Sequence, residues 1–188
     1  MRRAGFVLAG GASSRMGRDK ALLDYQGMAL AAWVASRVEA AAGRVSLVGG
    51  GEKYVHLGYP VLNERYADCG PLSGIEAALR LGGAEWSLVV ACDMAGVQTG
   101  WLAGILDAAG GPGIQAVCVR QSGGAIEPLC AVYHESCLGP VQALLESGVY
   151  KASALFSEIN GLALDAKWAG ELRNVNTPED WEAVKHHS

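Results

Sequence analysis

A glycine-rich segment near the N-terminus, Leu8 to Leu23, carries the residue types that bind phosphate. Gly10 and Gly11 permit positive φ angles and let backbone N–H groups approach a phosphate closely, and Ser13 and Ser14 add hydroxyl donors. Three cations follow within six residues, in a chain whose formal net charge is −4: Arg15, Arg18 and Lys20. Because a bound triphosphate requires a local positive field, this segment predicts a nucleotide phosphate site.

The segment differs from two common nucleotide-binding motifs. A Walker loop requires a lysine directly after its last glycine, whereas Gly17 is followed by Arg18, Asp19 and Lys20, and the G-x-G-x-x-G dinucleotide motif is absent. An ordinary surface turn with solvated charges is the structural alternative. The preceding apolar strand, Gly5 to Ala9, and the cluster of cations favour the phosphate site, and the segment leads into a helical pattern.

An aspartate follows a second apolar strand, Ser87 to Cys92. Asp93 would lie at the carboxyl edge of a sheet, where α/β proteins bind their ligands. A carboxylate there can hold Mg²⁺, and transfer of a nucleotidyl group depends mainly on alignment and charge neutralisation by metal and cations. The alternative is a turn or helix cap at the strand end. Next to a glycine-rich phosphate segment, we favour the metal site.

The elements that position these residues alternate between short apolar strands and helices. We expect strands over Gly5–Ala9, Val45–Val48, Trp86–Ala91, Ile114–Val119, Leu129–Tyr133 and Ile159–Leu164. We expect helices over Ala29–Ala42, Leu72–Leu81, Trp101–Ala109, Leu138–Leu145, Ala152–Phe156 and Pro178–Val184. This order predicts an α/β fold with a mostly parallel sheet covered on both faces, within one domain spanning residues 1–188.

Bulk properties exclude several classes of protein. The chain is 51% apolar and 18% charged, which is typical of a globular domain, and its acidic balance argues against nonspecific nucleic-acid binding. The apolar runs are too short for a signal peptide or a membrane span, so we expect a cytoplasmic protein with no membrane partner. The five cysteines lack metal-site spacing, and we expect free thiols. His134 is expected at a strand end or on the surface.

Five motifs together make the chain resemble the molybdenum cofactor guanylyltransferases. The family pattern LAGGxSxRMGxDKxL matches Leu8 to Leu22, and its GPLxG matches Gly70 to Gly74. Shorter matches are the CDxP motif at Cys92 to Ala95 and Pro-Leu-x-Ala-x-Tyr at Pro128 to Tyr133. The C-terminal NVNTPED is complete at Asn174 to Asp180. The resemblance covers almost the whole chain, from about residue 4 to residue 183.

The resemblance implies a three-layer Rossmann-like fold of the nucleotide-diphospho-sugar transferase type, and the transfer of GMP from GTP to molybdopterin with Mg²⁺. It implies Arg15, Lys20 and Asp93 as catalytic residues, with Asp93 as the metal ligand. It implies nucleotide contacts from Leu8, Ala9, Gly10, Gly11, Ser13, Ser14, Lys20, Gly70, Pro71 and Asp93. Asn174 and Asn176 would lie on the molybdopterin side. A further nucleotide contact is expected among Asn63, Glu64 and Asp68, and we favour Glu64. Molybdoenzymes or other cofactor-assembly proteins would be candidate partners that receive the product.

Two positions depart from the family pattern, and two other functions stay open. Ala95 and Ala29 replace prolines that shape turns, and we expect activity to survive both changes. Within the enzyme class, the alternative is a molybdopterin cytidylyltransferase or another small nucleotidyltransferase. Cytidylyltransferase relatives usually show LAAG and lack GPLxG, so Leu8 to Gly11 and Gly70 to Gly74 favour guanine. A noncatalytic GTP-binding module for cofactor assembly is the alternative outside the enzyme class.

Overall fold

The computed structural model describes residues 1–10, 19–121, 123–165, 174–175 and 177–185. The strands are β1 Arg3–Leu8, β2 Asp24–Tyr25, β3 Met28–Ala29, β4 Val45–Val48, β5 Val61–Leu62, β6 Trp86–Ala91, β7 Ala116–Arg120, β8 Ile126–His134 and β9 Gly161–Asp165. The α-helices are α1 Leu30–Ala42, α2 Gly70–Leu81, α3 Thr99–Ala108, α4 Leu138–Glu146 and α5 Pro178–Lys185. Short 3-10 helices cover Lys20–Leu22, Gly51–Leu57, Glu135–Cys137 and Ala152–Ser157.

Seven of these strands form one sheet in the order β5-β4-β1-β6-β8-β7-β9. Pairing is parallel between β5 and β4, β4 and β1, β1 and β6, and β7 and β9. Strand β8 runs antiparallel to both of its neighbours, β6 and β7. The prediction of a mostly parallel sheet is therefore confirmed, with one reversed strand in its interior.

Side chains that alternate along the strands build a core on each face of the sheet. On β1, Val7 packs into the core that also contains residues of α1 and α3, whereas Phe6 and Leu8 pack into the core formed with α2 and α4. All six residues of β6 are buried, as expected for a strand covered on both sides. The resulting helix–sheet–helix arrangement holds the carboxyl ends of β1, β4 and β6 side by side.

The predicted major strands and helices are present, and the helix predicted over Ala29–Ala42 is α1, Leu30–Ala42. Between the glycine-rich segment and α1, the chain forms a three-residue 3-10 helix and the β2–β3 hairpin, which the sequence pattern did not predict. Gln26 and Gly27, with φ angles of 53° and 83°, make the hairpin turn, so α1 begins only at Leu30. Two-residue strands are too short to produce a period of two, and sequence periodicity therefore missed β2, β3 and β5.

Two expectations about side chains and membranes can be compared with the described residues. All five cysteines are free, and Cys118, Cys130 and Cys137 are buried. Within the described ranges, no helix has both the length and the apolar character needed to cross a membrane. His134 lies at the end of β8, where its ring contacts Trp86 edge-on at a centroid distance of 4.8 Å.

Candidate active site

A cleft of about 780 Å³ opens at the carboxyl ends of β1, β4 and β6. Its lining residues are Leu8, Ala9, Gly10, Lys20, Ala21, Val48, Glu64, Asp68, Cys69, Gly70, Pro71, Ala91, Cys92, Asp93 and Leu129. Eight residues predicted to bind the nucleotide or act in catalysis therefore share one cavity: Leu8, Ala9, Gly10, Lys20, Glu64, Gly70, Pro71 and Asp93. Their individual roles stay predictions.

The first wall of the cleft is the end of β1, which hydrogen bonds to β4. The backbone N–H groups of Ala9 and Gly10 both donate to the Val48 carbonyl, at 2.9 and 3.2 Å. A Cβ atom at Gly10 would lie 3.1 Å from Gly49 Cα and 3.3 Å from a Glu64 carboxyl oxygen. Glycine therefore lets the chain leave β1 closely packed against its neighbours, while the backbone faces the cleft.

Lys20 reaches the cleft from the far side of the glycine-rich segment. It begins the 3-10 helix Lys20–Leu22, whose N-cap is Asp19: Ala21 N–H donates to Asp19 Oδ1 at 3.0 Å. The other oxygen of the Asp19 carboxylate forms a salt bridge with Lys53 and accepts a hydrogen bond from Tyr54 Oη at 2.9 Å. This acidic residue is therefore paired outside the cleft, and Lys20 and Ala21 form the lining.

Asp93 also lines the cleft, just after β6. Its backbone is held at two points, because Cys92 N–H donates to Leu8 O at 3.0 Å and Asp93 O accepts from Val175 N–H at 2.8 Å. Burial raises the pKa of the Asp93 carboxyl above its ordinary value, and the positive charge of Lys20 lowers it. Among the described residues, the buried Asp93 Oδ1 atom has no hydrogen-bond partner. A buried acceptor of this kind suits a cation.

A second unpartnered acceptor and a second carboxyl group lie near Asp93. The hydrogen bond from Val175 N–H to the Asp93 carbonyl brings the preceding residue, Asn174, close to Asp93. The Asn174 Oδ1 atom is also buried and has no partner among the described residues. The Asn174 side chain hydrogen bonds to Glu127, and since Oδ1 is unpaired, the amide nitrogen must be the donor. Glu127 also accepts from Leu129 N–H at 3.2 Å and from Gln121 Nε2 at 3.1 Å. These bonds orient the Asn174 amide.

Glu127 is a residue that sequence analysis missed. Burial raises the pKa of its carboxyl, and the negative charge of Asp93 raises it further, whereas the hydrogen bonds from Leu129, Gln121 and Asn174 lower it. The only sequence signal is that Glu127 directly precedes the Pro-Leu-x-Ala-x-Tyr motif, Pro128 to Tyr133.

Glu64 and the start of α2 also line the cleft. A Cβ atom at Gly10 would lie 3.3 Å from a Glu64 carboxyl oxygen, and one at Gly49 would lie 3.1 Å from it. Loss of water raises the pKa of Glu64, while a hydrogen bond with Ser73 lowers it. Of the other candidates for this contact, Asp68 also lines the cleft, and Asn63 is not part of the described lining. The N-terminus of the twelve-residue helix α2 adds a partial positive charge beside Gly70 and Pro71.

Several predicted site residues lie outside the described residues. They are Gly11, Ser13, Ser14, Arg15 and Asn176.

Two alanines stand where the family pattern has proline. Ala29 has a φ of −61°, a value that proline also adopts. Ala95 is buried, and its carbonyl accepts a hydrogen bond from Trp33 Nε1 at 3.1 Å.

Comparison with known proteins finds relatives and solved structures that match almost the whole chain. A probable molybdenum cofactor guanylyltransferase from Halalkalibacterium halodurans is 33% identical over 200 residues, covering 95% of each chain. The crystal structure of molybdopterin-guanine dinucleotide biosynthesis protein A from Archaeoglobus fulgidus superimposes with a TM-score of 0.79 at 25% identity, covering 98% of this chain and 97% of that one. A Mycobacterium tuberculosis protein crystallised in complex with manganese has the same fold, with a TM-score of 0.71 at 19% identity and full coverage of both chains.

The sequence pattern of one family also matches most of the chain. The MobA-like NTP transferase domain matches residues 5–162. Together with the fold similarity, this match confirms the nucleotidyltransferase type of α/β fold that the motifs implied. This chain belongs to the MobA-like NTP transferases, and its resemblance to the molybdenum cofactor guanylyltransferases is confirmed by two probable members that are 33% and 30% identical to it over 95% of its length.

Proposed function

We propose that this protein is a cytoplasmic enzyme that transfers GMP from GTP to molybdopterin and releases pyrophosphate. The observation that carries the proposal is that Lys20 and Asp93 line one cleft at the carboxyl ends of β1 and β6. The names of the relatives supply the substrates, because they are molybdenum cofactor guanylyltransferases at up to 35% identity over nearly the full chain.

Asp93 would hold Mg²⁺, with the Asn174 side-chain oxygen as a further donor. Both oxygens are buried acceptors without a partner among the described residues, and Glu127 adds a second carboxyl group to the surrounding field. Mg²⁺ prefers few protein oxygens and completes its coordination with phosphate oxygens and water. When bound, the ion would neutralise negative charge on the triphosphate. The manganese complex of the Mycobacterium tuberculosis protein agrees with a divalent ion in this fold.

The nucleotide would extend across the cleft from Glu64 to Lys20. Leu8, Ala9 and Gly10 would contact the guanine and ribose along the cleft wall, and the Glu64 carboxylate would accept hydrogen bonds from their N–H and O–H groups. Gly70 and Pro71 close this side of the nucleotide site at the start of α2. Within the glycine-rich segment, the residues that would contact the phosphates are Gly11, Ser13, Ser14 and Arg15. On the acceptor side, Asn176 would pair with the pterin edge or the phosphate of molybdopterin, and the second N–H of the Asn174 amide, which Glu127 does not use, would donate to the same ligand.

The chemistry requires alignment more than proton transfer. An ionised phosphate oxygen of molybdopterin would attack the α-phosphorus of GTP in line, the bond to the bridging oxygen would break, and pyrophosphate would leave with the electron pair. Lys20 and Arg15 would stabilise the charge that accumulates on the transferring and leaving phosphates. No general base is needed, because the attacking phosphate is already deprotonated at neutral pH.

The direct test is to incubate the purified chain with molybdopterin, Mg²⁺ and each of GTP, CTP and ATP. We expect pyrophosphate release and a guanine dinucleotide product with GTP, and loss of both on chelation of the metal. Preference for CTP would identify a cytidylyltransferase instead. GTP binding without pyrophosphate release would identify a noncatalytic module and contradict the proposal.

A further inference from the structure

Tyr54 contacts the glycine-rich segment at two residues, Ala9 and Asp19. Its side chain is only 3% exposed, and its hydroxyl oxygen lies 2.9 Å from the Ala9 carbonyl and 2.9 Å from Asp19 Oδ2. Ala9 is the residue at which the chain leaves β1, and Asp19 is the residue before Lys20. One hydroxyl group therefore contacts both Ala9 and Asp19, although Tyr54 lies 45 positions after Ala9 and 35 positions after Asp19 in the sequence.

The contact is strong on the Asp19 side. A phenol that donates to a carboxylate forms a charge-assisted hydrogen bond, and Lys53 compensates the charge of the same carboxylate. Burial and the neighbouring Asp19 raise the pKa of Tyr54 well above its ordinary value, so the hydroxyl keeps its proton. Asp19 in turn caps the 3-10 helix through Ala21 N–H, which fixes the backbone that carries Lys20. The chain of contacts thus runs from β1 through Tyr54 and Asp19 to Lys20.

The sequence is locally adapted to this position of the tyrosine. Gly50 has a φ of 72°, and a Cβ atom there would lie 2.0 Å from the Tyr54 ring. Only glycine lets the 3-10 helix Gly51–Leu57 bring the ring back against the end of β4. The neighbouring glycines, Gly49 and Gly51, also have positive φ angles, of 87° and 55°.

We infer that Tyr54 is a positioning residue, which acts through Asp19 to hold Lys20 at the phosphate side of the cleft. The inference rests on the proposed function for the role of Lys20. Tyr54 itself is not part of the cleft lining, so its hydroxyl does not need to contact the nucleotide to affect the reaction.

The variant Tyr54→Phe removes the hydroxyl and keeps the ring. We expect kcat to fall about 10- to 100-fold, since small displacements of a catalytic group have effects of this size. The KM for GTP should change by less than about three-fold, because Lys20 would act mainly on charge that develops in the transition state. Tyr59→Phe is the matched control, because Tyr59 packs against the same core outside the cleft lining.

Two further measurements separate positioning from general destabilisation. In a Lys20→Ala background, measured by single turnover of labelled GTP, Tyr54→Phe should have almost no additional effect, because the two residues act through one group. An undiminished effect in that background, or a kcat within about two-fold of wild type in the single variant, would overturn the inference.

Hydrogen exchange tests the contacts without requiring activity. The Ala21 amide and the peptides containing residues 8–10 and 19–23 should exchange faster in Tyr54→Phe, while the peptide covering β6 should exchange at the wild-type rate. Unchanged exchange near Ala21 would contradict the inference. If the wild-type chain releases no pyrophosphate from GTP, the proposed function fails, and the exchange result still decides whether Tyr54 holds the Lys20 segment.

Discussion

At the scale of single residues, Lys20 and Asp93 illustrate how far residue type and local spacing can lead. Each residue belongs to its own motif: Lys20 is a cation near glycines, and Asp93 is a carboxylate at a strand end. The structure brings both to one cleft, close enough for Lys20 to lower the pKa of Asp93. Their types thus point to a site before any contact between them is known.

We predict that Lys20→Ala and Asp93→Ala each lower turnover of GTP by about two or more orders of magnitude without unfolding the protein. Each removes a charge that would stabilise the transferring phosphate. Pyrophosphate release and far-UV circular dichroism measure the two effects. Asp107→Ala is the control, because Asp107 is an exposed aspartate that pairs with Arg3 at 3.2 Å away from the cleft. Near-normal GMP transfer in either cleft variant would refute its assignment.

Asp93 also leads to a prediction about pH and stability. Since folding raises its carboxyl pKa, the folded state favours the protonated form, and stability falls as pH rises from the ordinary value of 3.8 through the raised value. In metal-free buffer, Asp93→Asn should therefore be more stable than wild type at pH 7. The difference should shrink as the pH falls towards 4 and below. Urea denaturation at several pH values measures it, and a variant that is less stable at pH 7 would show that burial does not dominate.

At the scale of elements, the turns around the cleft decide where the predicted catalytic residues lie. The long strands and helices follow from periodicity, and α1 ends at Ala42 because Gly43 caps it in the left-handed conformation, with a φ of 82°. The β2–β3 hairpin and the 3-10 helix Gly51–Leu57 carry too few residues for a periodic signal, yet they set the path into α1 and the position of Tyr54.

Gly50 provides a test of this second element. Gly50→Ala should lower the free energy of unfolding by about 2–4 kcal/mol, from a positive φ and a clash of the new methyl group with the Tyr54 ring. Gly27→Ala has a comparable φ of 83° but no atom within 4 Å of the new Cβ, so it should cost only about 1 kcal/mol. Chemical denaturation compares the two variants. Equal losses would mean that the ring moves aside without cost.

At the scale of the whole molecule, ligand binding should stabilise the folded chain as one unit. GTP with Mg²⁺ at 100 times its dissociation constant should add about 2.7 kcal/mol, with smaller shifts for CTP, ATP and UTP. A thermal-shift panel measures this, and a single transition in each trace would agree with the predicted single domain. The largest shift with CTP, or no shift with GTP, would contradict the guanine assignment.

The amino-acid sequence by itself determined the α/β class, the main elements and the residue types of the cleft, because periodicity, glycine positions and motifs are local properties. It also placed Leu8, Lys20 and Asp93 at predicted strand ends or in their loops. Only the tertiary structure decided that Glu127 and Asn174 lie beside Asp93, and that Tyr54 joins Ala9 to Asp19. The physical reason is that these contacts depend on strand order, on the antiparallel direction of β8 and on packing between distant segments. None of these properties produces a periodic pattern in the sequence.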